Sequence, residues 1–322
     1  MTEPNNHPQQ LRALIRRFSL SEIDVEALCE KASSPKYWIR LNPHLGISSN
    51  SEVDWDSHAS VGEKQFSEAV HSYRTLGFLA LPALLSVSQI ERMQTAVDNL
   101  RAADWPAVFS FVYDDFWLLG RATQLSTLLK EILHPQYRLL SRIWTHYVPN
   151  AVGNGGWVPH LDHIHDAGHT TSVWIPLTHA TLRNGCMYLV KRSAGTEAVC
   201  RAFPNASQFS KEQVTALLKN CRALPADPGS VLCWDDKILH WGAQVEASET
   251  PRVSIALEFT VPDFVRAGDH ELLLDPFSGL PSLETRLRLI CNAVWTYRSV
   301  EPMMERFTPL VRRLAGKQAA QA

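Results

Sequence analysis

The sequence predicts a mainly β fold with flanking helices, in which the β core is a barrel or a jelly roll. Between residues 137 and 262, short runs of β-branched and aromatic residues alternate with turns, which is typical of such folds. Before residue 66 and after residue 282, apolar residues recur at helical spacing instead. We therefore expect a helical extension over 1–66, a β domain over 67–265 and a helical extension over 266–322, joined in one compact unit.

The first extension predicts two helices followed by a loop. Pro8 suits a first helical turn, and an apolar face follows it up to Phe18. Ser21 and Asp24 have the spacing of an N-cap and its partner, so a second helix should run to about Lys31. Residues 33–60 are rich in Ser, Pro, Asn and Asp and predict a loop.

The central segment predicts strands with helical insertions. Asn184-Gly185 marks a turn between two strands, and Ser210 with Gln213 predicts a capped helix. Ser282 can cap a helix in the last extension. The predicted strands are 77–82, 137–148, 171–178, 186–191, 231–234 and 252–261, and the predicted helices begin at Ser86, Ala122, Ser210, Ser282 and Met303.

Composition excludes several classes of function. The chain has 322 residues, 45% of them hydrophobic. Its formal charge is -2, so it has no excess of positive charge with which to bind nucleic acid or an anionic membrane. Its six cysteines are scattered without a Cys-x-x-Cys pair, which suits a reducing compartment. The polar N-terminus lacks the apolar core of a signal peptide. We expect a cytoplasmic protein whose partner is a small-molecule substrate; the oligomeric state stays open.

The first motif that indicates chemistry is His160-Leu161-Asp162. Two residues apart on an extended backbone, an imidazole and a carboxylate leave from the same side and can hold two corners of a metal. His240 follows far enough along the chain for intervening strands to return it to them. Two histidines and a carboxylate suit non-haem Fe(II), which needs open positions, although zinc could use the same ligands.

Arg252 is the second chemical signal. It opens an otherwise apolar strand, where a permanent positive charge needs a carboxylate partner. That partner could be an acidic side chain in an ordinary salt bridge, or the carboxylate of a bound ligand.

The ordered set His160, Asp162, His240 and Arg252 resembles the phytanoyl-CoA dioxygenase family of Fe(II)- and 2-oxoglutarate-dependent oxygenases. The stretch from Tyr73 to Ser86 is similar to the family's opening strand and helix. Residues 174–190 and 229–232 are similar to the strands that follow the metal motif and precede the distal histidine. The resemblance covers roughly residues 68–262.

The resemblance implies a double-stranded β-helix, or jelly roll, that uses Fe(II) with 2-oxoglutarate and O2 as co-substrates. His160, Asp162 and His240 would be the catalytic metal ligands. Arg252 would bind 2-oxoglutarate, with Trp174 and Ser254 nearby. Candidate substrate contacts flank these positions: Trp157, His163 and Trp241.

The implied reaction is hydroxylation of an unactivated C–H bond in a small metabolite, with release of succinate and CO2. Related halogenases lack the carboxylate ligand, so Asp162 favours oxygenation. Gly242 departs from the family, which often has serine there. His163, His165 and His169 could supply other ligands, although pocket-lining roles suit them better. Two alternatives stay open: a non-catalytic jelly-roll binding protein, and a zinc hydrolase using the same three ligands.

Overall fold

The computed structural model describes residues 20–48, 61–82, 84–162, 169–193, 195–203, 207, 209–246, 250–264 and 273–319. The helix expected over residues 8–18 lies outside this part. The chain divides into two compact units, one of residues 1–51, 96–117 and 279–322 and one of residues 52–95 and 118–278. The division into three consecutive segments stays a prediction.

Helices and strands follow one another in this order along the described chain: α1 (Glu22–Ala32), α2 (Pro35–Leu41), α3 (Glu63–Leu76), β1 (Phe78–Leu81), α4 (Val87–Ala102), a 3-10 turn (Ala107–Val112), α5 (Asp114–Leu118), a 3-10 turn (Leu119–Arg121), α6 (Thr123–Ile132), β2 (Arg138–Val148), β3 (Thr170–Pro176), β4 (Met187–Val190), α7 (Glu197–Arg201), α8 (Lys211–Asn220), β5 (Cys221–Leu224), β6 (Val231–Asp235), β7 (His240–Gly242), β8 (Arg252–Thr260), α9 (Leu283–Tyr297), a 3-10 turn (Pro302–Phe307) and α10 (Thr308–Ala319).

The first unit is helical and has an aromatic core. Trp38 is fully buried, and its ring lies 4.8 Å from that of Trp105 and 6.0 Å from that of Phe109 between centroids. Arg286 of α9 is also fully buried and pairs with Asp114 at 2.7 Å. Its other N–H groups donate to backbone carbonyls, so this buried charge is compensated.

The second unit contains two antiparallel sheets that share a buried apolar cluster. The larger has the strand order β1-β6-β3-β8-β2, and the smaller has the order β5-β4-β7. Trp174, Leu232 and Trp234 of the larger sheet share one buried apolar cluster with Met187 and Leu189 of the smaller. The face of the larger sheet that bears Trp174, Leu232 and Trp234 is called its inner face below.

The segment from Gly155 to His160 extends the smaller sheet. Gly155 pairs with Gln244 and His160 pairs with His240, both in the antiparallel sense. The chain thus crosses from β2 in the larger sheet to this segment and back to β3. Such alternation between sheets brings residues that are distant in sequence to one place.

Most predicted elements are confirmed within a few residues. The capping boxes of α1 at Ser21 and of α8 at Ser210 are both present, and Ser282 caps α9. Gly185 has a positive φ of 83°, as the predicted turn requires. Antiparallel sheets confirm the β core, whereas the closed jelly-roll topology stays a prediction.

The fold contains more helix than the predicted mainly β class implies. The loop expected over 33–60 contains α2, which Ser34 caps and Pro35 begins. The helix α3 was not predicted. Neither were α7, β5 and β7, each of which has five residues or fewer and shows no usable periodicity. None of the described helices has the length and apolar character needed to span a bilayer.

Candidate metal centre

Two histidines lie directly opposite each other on neighbouring extended segments. The backbone N–H of His160 donates to the carbonyl of His240 at 3.0 Å, and that of His240 donates back at 3.1 Å. Directly opposed residues in antiparallel pairing project their side chains from the same face. The two imidazole rings accordingly lie 4.3 Å apart between centroids.

The carboxylate of Asp162 lies beside both imidazole rings. Its Oδ1 lies 3.6 Å from His160 Nε2 and 3.4 Å from His240 Nε2. One ligand atom from each of the three residues lies within 4.8 Å of the others. No other group of three or more His, Cys, Asp or Glu side chains in the described part of the chain has this geometry.

Backbone carbonyls orient both imidazoles. His160 Nδ1 lies 2.7 Å from the carbonyl of Val158, and His240 Nδ1 lies 2.9 Å from the carbonyl of Ile238. A carbonyl oxygen can only accept, so in each ring Nδ1 carries the proton and Nε2 keeps its lone pair. Both lone pairs are then available to the shared point beside Asp162 Oδ1.

Two side chains of the larger sheet orient the carboxylate. Ser172 Oγ donates to Asp162 Oδ2 at 2.5 Å, and Trp234 Nε1 donates to the same oxygen at 3.0 Å. With Oδ2 engaged, Oδ1 is the oxygen left to bind a cation. Partners of this kind fix the direction of a ligand and raise the affinity of a site for its metal.

The surroundings of Asp162 and His240 favour the protonation states that metal binding needs. Burial by itself raises the pKa of Asp162, but His240, His160 and the two hydrogen-bond donors together lower it below its ordinary value. Burial is the largest influence on His240 and lowers the pKa of that imidazole. The cluster thus offers one carboxylate oxygen and two imidazole nitrogens. Such a donor set fits a divalent cation of the iron or zinc type.

Arg252 lies on the inner face of the larger sheet and is almost completely buried, with 1% of its surface exposed. Its Nη1 donates to Ser254 Oγ at 3.4 Å, and its guanidinium carbon lies 5.7 Å from the ring centroid of Trp174. The three residues expected to bind 2-oxoglutarate are therefore neighbours. Their role in binding stays a prediction.

A family model for phytanoyl-CoA dioxygenase (PhyH) matches residues 73–253, which is more than half of the chain. The chain belongs to the phytanoyl-CoA dioxygenase family. The matched range includes all three residues of the metal cluster as well as Arg252. No curated protein matches the sequence.

Solved structures have a similar fold. One is the epimerase SnoN in complex with Fe3+, alpha ketoglutarate and nogalamycin RO, with a TM-score of 0.52 and 14% identity over 69% of this chain and 97% of that chain. Another is the nickel complex of the non-heme monooxygenase ThoJ, with a TM-score of 0.53 and 17% identity over 73% of this chain and 99% of that chain. At these identities the likeness shows the fold.

Gly242, where the phytanoyl-CoA dioxygenase family often has serine, has a steric explanation in this member. A Cβ added at Gly242 would lie 2.6 Å from the Cα of Gly156 and 3.1 Å from Nη2 of Arg252. A Cβ at Gly156 would meet Gly242 Cα at 2.5 Å. The two segments approach so closely that neither position has room for a side chain.

The predicted substrate contacts have different positions. The Trp157 ring lies 5.7 Å from the His160 ring between centroids, so Trp157 flanks the cluster. Trp241 leaves β7 on the opposite side from His240 and stacks on Tyr188 at 5.6 Å, so the structure does not bring it to the ligands. His163 lies outside the described residues.

The other members of the histidine-rich stretch are separate from the cluster. His169 Nε2 lies 3.4 Å from Asp235 Oδ2 and 3.3 Å from the hydroxyl of Tyr73. His165 lies outside the described residues. His169 is therefore part of a polar cluster beside the sheet, and the metal cluster does not include it.

Two contributors to this site were not predicted from the sequence. Ser172 orients Asp162 together with Trp234, and His146 of β2 lies on the same inner face as Arg252. The alternation of the two predicted strands that contain Ser172 and His146 could have put each on an inner face. Nothing local indicates which distant residue each one would meet.

Proposed function

We propose that this chain is an Fe(II)- and 2-oxoglutarate-dependent oxygenase that hydroxylates a C–H bond of a small organic molecule. The single observation that supports this best is the cluster of His160, Asp162 and His240, in which one metal-binding atom from each residue is turned to the same point. Family membership and the buried cation at Arg252 agree with it.

In this proposal His160, Asp162 and His240 hold the metal through Nε2, Oδ1 and Nε2, and three protein ligands leave positions for the co-substrates. When bound, Fe(II) supplies the oxidative chemistry: with 2-oxoglutarate and O2 it converts R–H to R–OH and releases succinate and CO2. Asp162 supports hydroxylation, since its carboxylate occupies the position that related halogenases leave vacant.

The inner face of the larger sheet binds and orients the 2-oxo acid. Arg252 pairs with the carboxylate farthest from the metal, and Trp174 restricts the guanidinium by packing against it. The rings of Trp157 and Trp144, 6.2 Å apart between centroids, form an apolar wall that excludes water from the reacting atoms. A buried arginine suits the recognition of a dicarboxylate better than it suits a hydrolytic zinc site.

An anaerobic titration tests the proposal. Adding Fe(II) and then 2-oxoglutarate should produce a weak visible charge-transfer band, and aerobic incubation should release succinate only when 2-oxoglutarate is present. Zn(II) in place of Fe(II) is the control and should give no band. Absence of both signals from the folded wild-type protein would refute the oxygenase and leave the binding protein and the zinc hydrolase.

Arg252→Ala tests the co-substrate contact. Loss of a buried charge pair should raise the 2-oxoglutarate concentration for half-saturation on the order of 100-fold. Arg74→Ala is a matched control, because Arg74 is exposed and pairs with Glu131 on the surface. Thermal unfolding of each variant verifies folding, and Arg252→Lys should recover part of the affinity. An unchanged half-saturation concentration in Arg252→Ala would remove Arg252 from this role.

A further inference from the structure

His146 lies on the inner face of the larger sheet beside the arginine that the proposed function uses. In the register of β2 and β8, His146 is opposite Ser254, and the adjacent inward pair is Val148 opposite Arg252. Alternate residues of a strand share a face, so His146, Ser254 and Arg252 all project from the same side of the sheet.

His146 is enclosed by protein atoms without being completely buried. Its ring lies 5.9 Å from that of Trp157 between centroids, and the Trp157 ring in turn lies next to His160. His146 thus lies on the same sheet face as Arg252, and the ring of Trp157 adjoins both His146 and the metal-ligand candidate His160.

A neutral His146 can donate a hydrogen bond to an anion whose charge is balanced by Arg252. Burial, and after it the positive charge of Arg252, lower the pKa of His146 to about 3. The imidazole is therefore neutral at physiological pH and offers one N–H donor and one acceptor. A neutral donor next to a guanidinium can join it around one carboxylate without adding a second, repelling cation.

Neighbouring groups restrict how a carboxylate can approach the guanidinium of Arg252. Nη2 of Arg252 lies against the close approach of Gly156 and Gly242, where no side chain fits. Its Nη1 donates to Ser254 Oγ. Among the described residues, the strands of the larger sheet bring polar side chains to this face, and the register puts His146 directly across from Ser254.

We propose that His146 donates a hydrogen bond to the same carboxylate of 2-oxoglutarate that Arg252 binds, and that Arg252, Ser254 and His146 together select a dicarboxylic 2-oxo acid. This inference rests on the proposed function, since it assigns a residue to the co-substrate subsite of that site. His146 is a binding residue of the co-substrate and has no part in holding the metal.

The test compares His146→Leu and His146→Gln in the anaerobic Fe(II) titration. Leucine keeps much of the volume beside Trp157 but has no donor, whereas the glutamine amide restores one. We expect His146→Leu to weaken 2-oxoglutarate about tenfold or more, the loss typical of a hydrogen bond to a charged group, and His146→Gln to recover most of the affinity. Thermal unfolding shows whether each variant is folded.

Oxalate provides the control ligand. It can chelate the metal through two oxygens but is too short to reach Arg252, so its displacement of 2-oxoglutarate should give the same oxalate affinity in both variants and wild type. A His146→Leu variant that binds 2-oxoglutarate as tightly as wild type would overturn the inference, as would an equal loss for oxalate. The band of the wild-type protein distinguishes failure of the proposed function from failure of the role of His146. Absence of the band refutes the proposed function. A normal band, together with unchanged 2-oxoglutarate affinity in His146→Leu, refutes the role of His146 alone.

Discussion

Replacing Gly242 with alanine should disturb both stability and the metal centre. The added Cβ would lie 2.6 Å from Gly156 Cα, whereas carbon atoms in favourable contact are about 3.5–4.0 Å apart, so the two segments would have to separate by about 1 Å. They are joined by a hydrogen bond of 3.1 Å from Gly242 N–H to the carbonyl of Trp157. Separation on that scale exceeds the range of a hydrogen bond.

The expected cost is about 1–3 kcal/mol in the free energy of unfolding, which is typical of overpacking against backbone. The same separation shifts His160 relative to His240, because their reciprocal backbone bonds belong to the same pairing. Fe(II) affinity should therefore fall together with stability. Urea denaturation measures the first quantity, and a metal titration measures the second.

Gly195→Ala is the matched control, because a Cβ there meets nothing within 4 Å. Gly156→Ala approaches the same contact from the other segment and should behave like Gly242→Ala. If Gly242→Ala were as stable as Gly195→Ala and bound Fe(II) equally well, the close approach of the two segments would be refuted as a constraint on the site.

Two further predictions concern the groups around the metal cluster. Trp234→Phe keeps an aromatic ring but removes the indole N–H that donates to Asp162 Oδ2. Fe(II) affinity should therefore fall about 10- to 100-fold in a competition titration, whereas Trp241→Phe, a change outside the cluster, should leave it unaltered. His146 should make the protein less stable at acidic pH. In the folded protein its pKa is about 3, below the ordinary value of 6.5. Between these two pH values the unfolded chain binds one more proton than the folded protein, so the free energy of unfolding falls as the pH falls. On lowering the pH from 7 to 5, wild type should lose about 2 kcal/mol more unfolding free energy than His146→Gln, and equal losses would contradict the burial of a neutral imidazole.

Local patterns predicted those elements whose energetics are local. The caps at Ser21 and Ser210 depend on residues three positions apart, and both capping boxes form as expected. The turn at Gly185 needs a positive φ that glycine adopts without strain. Elements shorter than about five residues, such as β7, lack a period long enough to recognise, so their existence depends on the strands beside them.

By itself the sequence determined the chemical types at the centre: a histidine and an aspartate two residues apart, a distant histidine and an arginine opening an apolar strand. Only the tertiary structure decided which atoms meet. Antiparallel pairing puts His160 opposite His240, and Ser172 and Trp234 turn Asp162 so that Oδ1 faces both rings. The physical reason is that strand parity is a local property, whereas the partner opposite each residue depends on a register set by the whole sheet.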